Sequence, residues 1–328
     1  MKRLDVFVFL LTILVLALAL ACADNGDPSV HPQVDREDKL PADIAKVLPG
    51  EDHHPPILHS NEFEEPFPLP WPVNTSGAED SPFILPDGNT LYFWFTPDVR
   101  VPPEKQLLDE VTGIYVTYRT EEGWSNPERV WLQQPGKLAL DGAVAIQGSE
   151  MWFASAREGY TGVNMFTAEL VDGQWVNWQY SGDQLMLDYE IGEVHLHGDD
   201  LYFHSRRDGG KGGLDIWVTT RSYQDGVAAW SEPLNVEAVN TSGDEGFPFV
   251  SSDGLELWFT RTHMGTPALF RSLKVGGLWT KPELIVSQFA GEPTLDDAGN
   301  LYFVHHFFRD GVMVEADIYV AYRKIPRQ

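Results

Sequence analysis

The clearest pattern along the chain is a short apolar segment that ends in two aromatic residues and recurs five times. A second apolar segment follows each copy, and a short segment carrying an acid precedes it. The apolar positions run continuously instead of alternating, which is typical of strands packed on both faces. The five copies are Leu91-Tyr92-Phe93, Met151-Trp152-Phe153, Leu201-Tyr202-Phe203, Leu257-Trp258-Phe259 and Leu301-Tyr302-Phe303.

A fourth segment, opened by tryptophan, completes the first four units. It begins at Trp124, Trp175, Trp230 and Trp279, and in three cases a proline follows three residues later. Proline suits an outermost strand, where one edge has no partner for an N–H group. The fifth unit has no such segment after it, but 63–66 (Phe-Glu-Glu-Pro) offers one from the other end of the chain. We therefore expect the N-terminal segment to supply the outer strand of the last unit.

Radial repetition of four-stranded units of roughly 45–55 residues predicts a β-propeller. The fold class is therefore all-β, a five-bladed β-propeller whose N-terminal strand closes the last blade, as a velcro. A two-sheet sandwich, the alternative, does not explain the period. A longer repeat agrees with the prediction, because residues 73–77 (Val-Asn-Thr-Ser-Gly) recur at 239–243. The propeller is expected to span residues 59–326.

The N-terminus has the features of an export signal. Lys2 and Arg3 precede an apolar run over residues 6–21, and Cys22 is the only cysteine of the chain. Residues 19–22 resemble a lipobox, so residues 1–21 are predicted to be a lipoprotein signal peptide and Cys22 the lipidated residue. An ordinary secretory signal or an uncleaved anchor is the alternative. Residues 22–58, rich in proline and aspartate, are expected to be a flexible tether. Deleting 23–50 should then be nearly silent.

The charge of the chain limits its partners. The formal net charge is −26, and a field of that sign repels phosphates, so no nucleic-acid partner is expected. Anionic lipid headgroups are repelled as well, so contact with the membrane is expected through the lipid anchor. An envelope protein or a glycan is open as a partner.

The units resemble the WD40-like repeats of TolB-type bacterial propellers. The resemblance rests on Pro86-Asp87-Gly88, Leu201-Tyr202-Phe203, Ser205-Arg206-Arg207 and Asp215-Ile216-Trp217-Val218. It implies a β-propeller of the bacterial cell envelope. Ala23, and not an aspartate, follows Cys22, which is the pattern of lipoproteins sorted to the outer membrane, so we expect the protein there, facing the periplasm or the surface. The resemblance implies little about function, and TolB partners or peptidoglycan binding are not carried over.

The candidate ligand-binding residues are acids that open the innermost strand of each blade and arginines that follow the second strand. They are expected to ring one mouth of the central channel, either as structural ion pairs or as a site for a cation or polar ligand. No cofactor is required, and a divalent cation in the channel is open. The acids are Glu79, Asp141, Glu193, Glu245 and Glu292, and the arginines are Arg157, Arg207 and Arg261.

A metal site is a further candidate, since Glu193, His195 and His197 alternate along one inner strand and would project from one side of it. Neutral imidazoles favour zinc or copper. A polar edge beside water is the alternative, and His305 or His306 of blade 5 could approach.

Two functions of different class follow. The first is a non-catalytic binding or scaffold module of the envelope, for a protein or a glycan. The second is a glycoside hydrolase of the five-bladed propeller type, with Asp80, Asp141 and Glu193 as the channel carboxylates; such enzymes need two carboxyls roughly 5–10 Å apart. An acid in every blade favours repeat architecture, and therefore binding over catalysis.

Overall fold

The computed structural model describes residues 30–225 and 227–325, so the predicted signal segment, Cys22 and residues 326–328 lie outside the described residues. Helical structure in the described part is limited to short turns: the one-turn α-helix Pro103–Gln106, the 3₁₀ turns Glu37–Lys39 and Pro49–Glu51, and a π turn at Gln184–Asp188. Within these residues no helix has the length and apolarity needed to cross a bilayer.

Two short strands come first along the chain, β1 (Ile57–Leu58) and β2 (Phe67–Pro68). The strands after them form four sheets, and in the largest of these a parallel bridge between Ala316 and Ala78 joins the last strands of the chain to the first ones. Dividing that sheet at this bridge gives groups of antiparallel strands that follow the sequence repeat, which we call blades 1 to 5. Blade 1 comprises β3 (Ala78–Ile84), β4 (Thr90–Thr96), β5 (Gly113–Thr120), β6 (Gly123–Trp124) and β7 (Glu128–Arg129). Blade 2 comprises β8 (Ala139–Gln147), β9 (Glu150–Arg157), β10 (Asn164–Val171) and β11 (Gln174–Tyr180).

Blades 3 to 5 repeat this antiparallel order. Blade 3 comprises β12 (Val194–His197), β13 (Asp200–Ser205), β14 (Asp215–Gln224), β15 (Val227–Trp230) and β16 (Leu234–Asn235). Blade 4 comprises β17 (Glu245–Val250), β18 (Glu256–His263), β19 (Thr266–Val275), β20 (Leu278–Trp279) and β21 (Glu283–Ser287). Blade 5 comprises β22 (Ala290–Leu295), β23 (Leu301–Arg309) and β24 (Val312–Ala321).

The innermost strands of the blades form a closed ring. Strands β3, β8, β12, β17 and β22 each contact the next, and β22 returns to β3. The second strand of every blade is packed between its neighbours, so the last aromatic residue of each repeated segment is fully buried: Phe93, Phe153, Phe203, Phe259 and Phe303. The predicted β-propeller is confirmed.

The N-terminal segment closes the last blade. Strand β2 pairs with β24, Phe67 opposite Val320, and Phe63 forms a bridge with Arg323. This is the velcro arrangement that the sequence predicts. The structure adds a second closure, because β1 pairs with β21 at the outer edge of blade 4.

The flexible tether expected up to residue 58 is wrong for residues 36–58, which we call the N-terminal strap. Arg36 is buried against blade 1, and the Lys46 ammonium contacts the carboxylates of Glu315 and Asp317 in blade 5. Asp52 accepts a hydrogen bond from buried His305 at 2.9 Å. The strap is held by charges that neutralise buried carboxylates, a contact for which its polar, proline-rich composition gives no signal.

Candidate functional site

Three of the five predicted acids are neutralised by arginine. Asp141 bonds Arg157 at 2.8 Å and also accepts the hydroxyl proton of Ser155 at 2.6 Å. Glu245 bonds Arg261 at 2.7 Å. Each of these carboxylates is fully buried. Two of the predicted acid–arginine pairs therefore form as ion pairs inside the wall of the propeller.

The third pair, Glu79 with Arg36 at 2.8 Å, brings in an arginine from the N-terminal strap. Arg36 also donates to the carbonyls of Pro72 and Val73 and lies over the Phe95 ring, 5.0 Å from its centroid. Burial raises the pKa of Glu79, and the charge of Arg36 opposes that rise. The sequence does not reveal this partner, because Arg36 lies 43 residues from the acid in a segment without periodicity.

The repeated Val-Asn-Thr-Ser-Gly segment explains why Glu79 and Glu245 have the same surroundings. Thr75 donates its backbone N–H and its hydroxyl proton to Glu79, and Thr241 does the same to Glu245. Asn74, next to Thr75, exchanges two hydrogen bonds with the backbone of Ile318 in blade 5. The motif thus fastens each of these acids to the preceding blade.

Glu193 and Glu292 do not belong to the same level as the other three acids, so a single ring of five acids is wrong. In blade 1, Asp80 pairs with Trp94 of the second strand. In blade 3 the position equivalent to Asp80 is held by Gly192, so Glu193 comes one residue later. In blade 5 the ladder is interrupted by a bulge after Gly291, and Glu292 has the left-handed backbone (φ 54°) that Ser81 has in blade 1 (φ 47°). Both glutamates therefore lie deeper in the channel, at the level of Ser81.

At this deeper level the structure places a compact group of ionisable side chains. One ligand atom each from Asp80, Glu292 and His306 lie within 4.8 Å of one another. His306 Nε2 lies 3.5 Å from Asp80 Oδ2. Glu292 Oε2 is buried and has no hydrogen-bond partner among the described residues. We call these three residues, with Glu193, the channel cluster.

The protonation states in the channel cluster differ. Burial raises the pKa of Asp80, but the charge and hydrogen bond of His306 outweigh it, so that pKa lies below its usual value. Burial lowers the pKa of His306, and Asp80 and Glu292 more than restore it. Burial and the charge of Asp80 raise the pKa of Glu193 to about 8, and burial with both neighbouring acids raises that of Glu292 well above its usual value. These shifts favour an ion pair between Asp80 and His306, and they favour the protonated forms of Glu193 and Glu292.

Two cavities meet at Glu193. The channel cavity, about 50 Å³, is lined by Glu193 and Glu292 together with Ser81, Phe83 and other inner-strand residues. That volume holds a few waters or an ion, since one water needs about 10–15 Å³ on this measure. A more open mouth pocket of about 210 Å³ lies beside Trp94, Asp141 and Glu193.

The predicted metal trio of Glu193, His195 and His197 is not brought together. His195 is buried against the rings of Phe83 and Phe249, and burial, with the charge of His197, lowers its pKa to about 3. His197 Nε2 lies 3.3 Å from the carbonyl of Ser252. Alternation along β12 holds, but the strand continues away from Glu193 towards the opposite end of the channel. His306, noted in the sequence as able to approach, is the histidine that joins the acids.

Arg207 does not join an inner-strand acid. Its guanidinium bonds Glu232 at 2.7 Å and lies over the rings of Tyr189 and Trp217. The three carboxylates of the hydrolase alternative do not form one group. Asp80 and Glu193 lie in the channel cluster, whereas Asp141 is bonded to Arg157 and Ser155.

Comparison with models of known families gives no match, and neither does comparison with curated protein sequences. Similar solved structures include TolB from Acinetobacter baumannii, with 13% identity, a TM-score of 0.42, and coverage of 76% of this chain and 55% of that one. GH43B of the Bacteroides ovatus xyloglucan PUL has 14% identity, a TM-score of 0.49, and coverage of 78% and 54%. XC5397 from Xanthomonas campestris, described as a gluconolactonase, has 12% identity, a TM-score of 0.43, and coverage of 76% and 86%.

The chain thus spans about half the length of TolB and of GH43B. The similar structures include the TolB type that the sequence resembles, and the class of protein is a β-propeller. At these identities the likeness concerns the fold alone.

Proposed function

We propose that this protein is a lipid-anchored propeller of the bacterial cell envelope that acts as a non-catalytic binding module, with a divalent cation held in its channel by Asp80, Glu292 and His306. The observation that carries the proposal is the channel cluster. Elsewhere the predicted acids of the inner strands are matched by arginines, whereas Glu193 and Glu292 have no arginine partner among the described residues. A cation would supply the missing positive charge.

The chemistry of the ligand set favours a cation that binds both oxygen and nitrogen ligands. A site with two carboxylates and one imidazole is better suited to zinc or manganese than a site made of oxygen ligands alone. The channel cavity beside Glu292 has room for the waters of a hydrated ion and too little room for a sugar ring, and Asp80 and His306 are not among its lining residues.

Protons must leave when a cation binds. Glu292 and His306 have pKa values above their usual ones, so both have to lose a proton to become ligands. Affinity should therefore rise with pH, and binding should release protons into the buffer.

Calorimetry and thermal shift with zinc, manganese and calcium test the proposal. We expect at least one of them to stabilise the wild type, with a heat that depends on the ionisation enthalpy of the buffer. Glu292→Gln should abolish the effect. Glu245→Gln is the matched control, because its carboxylate lies on an inner strand but is paired with Arg261. If no cation binds, and Glu193→Gln/Glu292→Gln is simply more stable, the cluster is structural.

A glycoside hydrolase is the second candidate, and one specific observation favours it. The environment lowers the pKa of Asp80 and raises that of Glu193 to about 8, which is how a base and an acid are separated in glycosidases. Glu193 also lines the mouth pocket beside Trp94. Release of reducing sugar from arabinan or fructan, abolished by Glu193→Gln with the fold intact, would establish this activity in place of pure binding.

A further inference from the structure

A groove between blades 1 and 2, which shares no lining residue with the channel cluster, is the second candidate site. It has a volume of about 510 Å³, within the roughly 300–1,000 Å³ range of ligand pockets. Strands β4, β5 and β7 of blade 1 form one wall, and the β11 hairpin of blade 2 forms the other. Its aromatic lining consists of Tyr92, Tyr118, Trp131, Trp175 and Trp178.

The aromatic rings are fixed before any ligand arrives. Trp175 donates its ring N–H to the Tyr92 hydroxyl at 3.2 Å, and Trp178 donates its own to the carbonyl of Trp175 at 3.2 Å. Trp131 is half-buried, and its ring lies 4.9 Å from the guanidinium of Arg129. Rigid aromatic surfaces lose little conformational entropy on binding, which favours affinity.

A flat ring already lies on one of these surfaces. The imidazole of His31 stacks on Trp131 with ring centroids 4.6 Å apart and planes 5° apart. The Trp131 face therefore accepts a planar group in a parallel position, and a sugar ring that packs on this face has to displace the His31 imidazole.

The polar lining of the groove is made mostly of amides. Gln133, Gln134 and Gln174 contribute side chains that both donate and accept hydrogen bonds, as sugar hydroxyls do. Besides His31, two ionisable residues line the groove, Glu128 and Arg129, and their charges are opposite in sign. A groove without net charge, on a chain of formal charge −26, disfavours anionic polymers and suits a neutral one.

We infer that this groove binds a neutral oligosaccharide, with sugar rings packed on Trp131 and Tyr118 and hydroxyls bonded to Gln134 and Gln174. The site deepens the proposed function by naming a ligand class for the binding module, but it lies away from the channel and does not depend on the cation.

The test is calorimetry with cellohexaose, xylohexaose and mannohexaose, and with polygalacturonate as an anionic probe. At least one neutral hexasaccharide should bind the wild type, and polygalacturonate should not. Trp131→Ala should weaken binding about tenfold, equivalent to about 1.4 kcal/mol, Tyr118→Ala should weaken it measurably, and Trp131→Phe should keep most of the affinity. The matched control is Tyr223→Ala, which removes a tyrosine that is likewise exposed on the third strand of its blade (61% exposed, against 44% for Tyr118). Circular dichroism melting would verify that each variant is folded.

Three results would overturn the inference. The first is that none of the hexasaccharides binds at millimolar concentration. The second is that binding is unchanged by Trp131→Ala and Tyr118→Ala, which would place the glycan elsewhere. The third is that a proline-rich peptide binds through Trp131 in place of any glycan. In each case Glu292→Gln and the metal titrations judge the channel proposal separately.

Discussion

Replacing Arg36 by methionine tests whether the N-terminal strap is part of the fold. The change keeps the length of the side chain and removes the charge that Glu79 bonds at 2.8 Å. Both side chains are almost completely inaccessible, 4% and 0% exposed. Breaking a buried ion pair on one side costs about 3–5 kcal/mol, because an uncompensated charge is left behind. Glu79 keeps two hydrogen bonds from Thr75, so we expect a loss of about 3 kcal/mol in the free energy of unfolding.

The loss should depend on pH. Burial already raises the pKa of Glu79, and without Arg36 it should rise further. An acid whose pKa is raised in the folded state loses stability as pH rises above its unfolded value of about 4.5, so the deficit should be larger at pH 8 than at pH 5. Adding Glu79→Gln to the variant should recover most of the stability. Urea unfolding at the two pH values measures both effects.

The matched control is Arg100→Met, which breaks a half-exposed pair with Asp98 and should change the free energy of unfolding by less than about 1 kcal/mol. The reasoning fails if Arg36→Met is no more costly than this control, or if its cost is the same at pH 5 and pH 8. A silent Arg36→Met would also restore the expectation that residues 23–50 can be deleted without effect.

Four other predictions concern the channel, the fold and the membrane anchor. Glu193→Gln should become more stable than the wild type as pH rises from 5 to 8.5, by a few kcal/mol, because Gln mimics the protonated acid; parallel stability curves against pH would contradict the raised pKa. Deleting residues 59–75 should cause aggregation or loss of cooperative melting, since it uncovers the edge of β24; a melting curve equal to that of the full chain would show that the closure is dispensable. Trp258→Ala should cost roughly 3–5 kcal/mol, and a negligible change in urea unfolding would contradict its burial between blades. Cys22→Ser should lose lipid and leave the membrane fraction; continued fractionation with membranes after cleavage would show that another group is the anchor.

The strand positions could be predicted from the sequence because the second strand of each blade is packed on both faces. Such a strand is built from apolar residues, so the buried Leu257 and Phe259 reveal its position in the amino-acid sequence. The closing role of the N-terminal segment was accessible for a similar reason, since a missing outer strand in the last unit needs a substitute.

The levels of the acids could not be predicted, because they depend on bulges that change the register by a residue or two. Glu245 precedes Trp258 by 13 residues and lies before the bulge of its strand, whereas Glu292 precedes Tyr302 by 10 residues and lies within a bulge. The spacing does not separate the two levels, because Asp141 precedes Trp152 by 11 residues and lies at the level of Glu245. An acid in the strand is a feature of composition, whereas its depth in the channel is a feature of backbone geometry. The ion pairs of Arg36 and Lys46 could not be predicted for another reason, because their partners lie 43 and 269 or more residues away in the sequence.

The double closure has a consequence for the order in which the molecule can assemble during synthesis. Strand β2 cannot pair until β24 has been synthesised. Lys46 of the strap cannot bond Glu315 until that residue, 269 positions later in the chain, has been synthesised as well. Until blade 5 has left the ribosome, β3 of blade 1 lacks its neighbour β22, and Lys46 of the strap lacks its carboxylate partners. Contacts of such long range form late. The nascent chain should therefore remain unclosed for most of its translation, which is the condition in which a polypeptide can still be threaded through a narrow export channel.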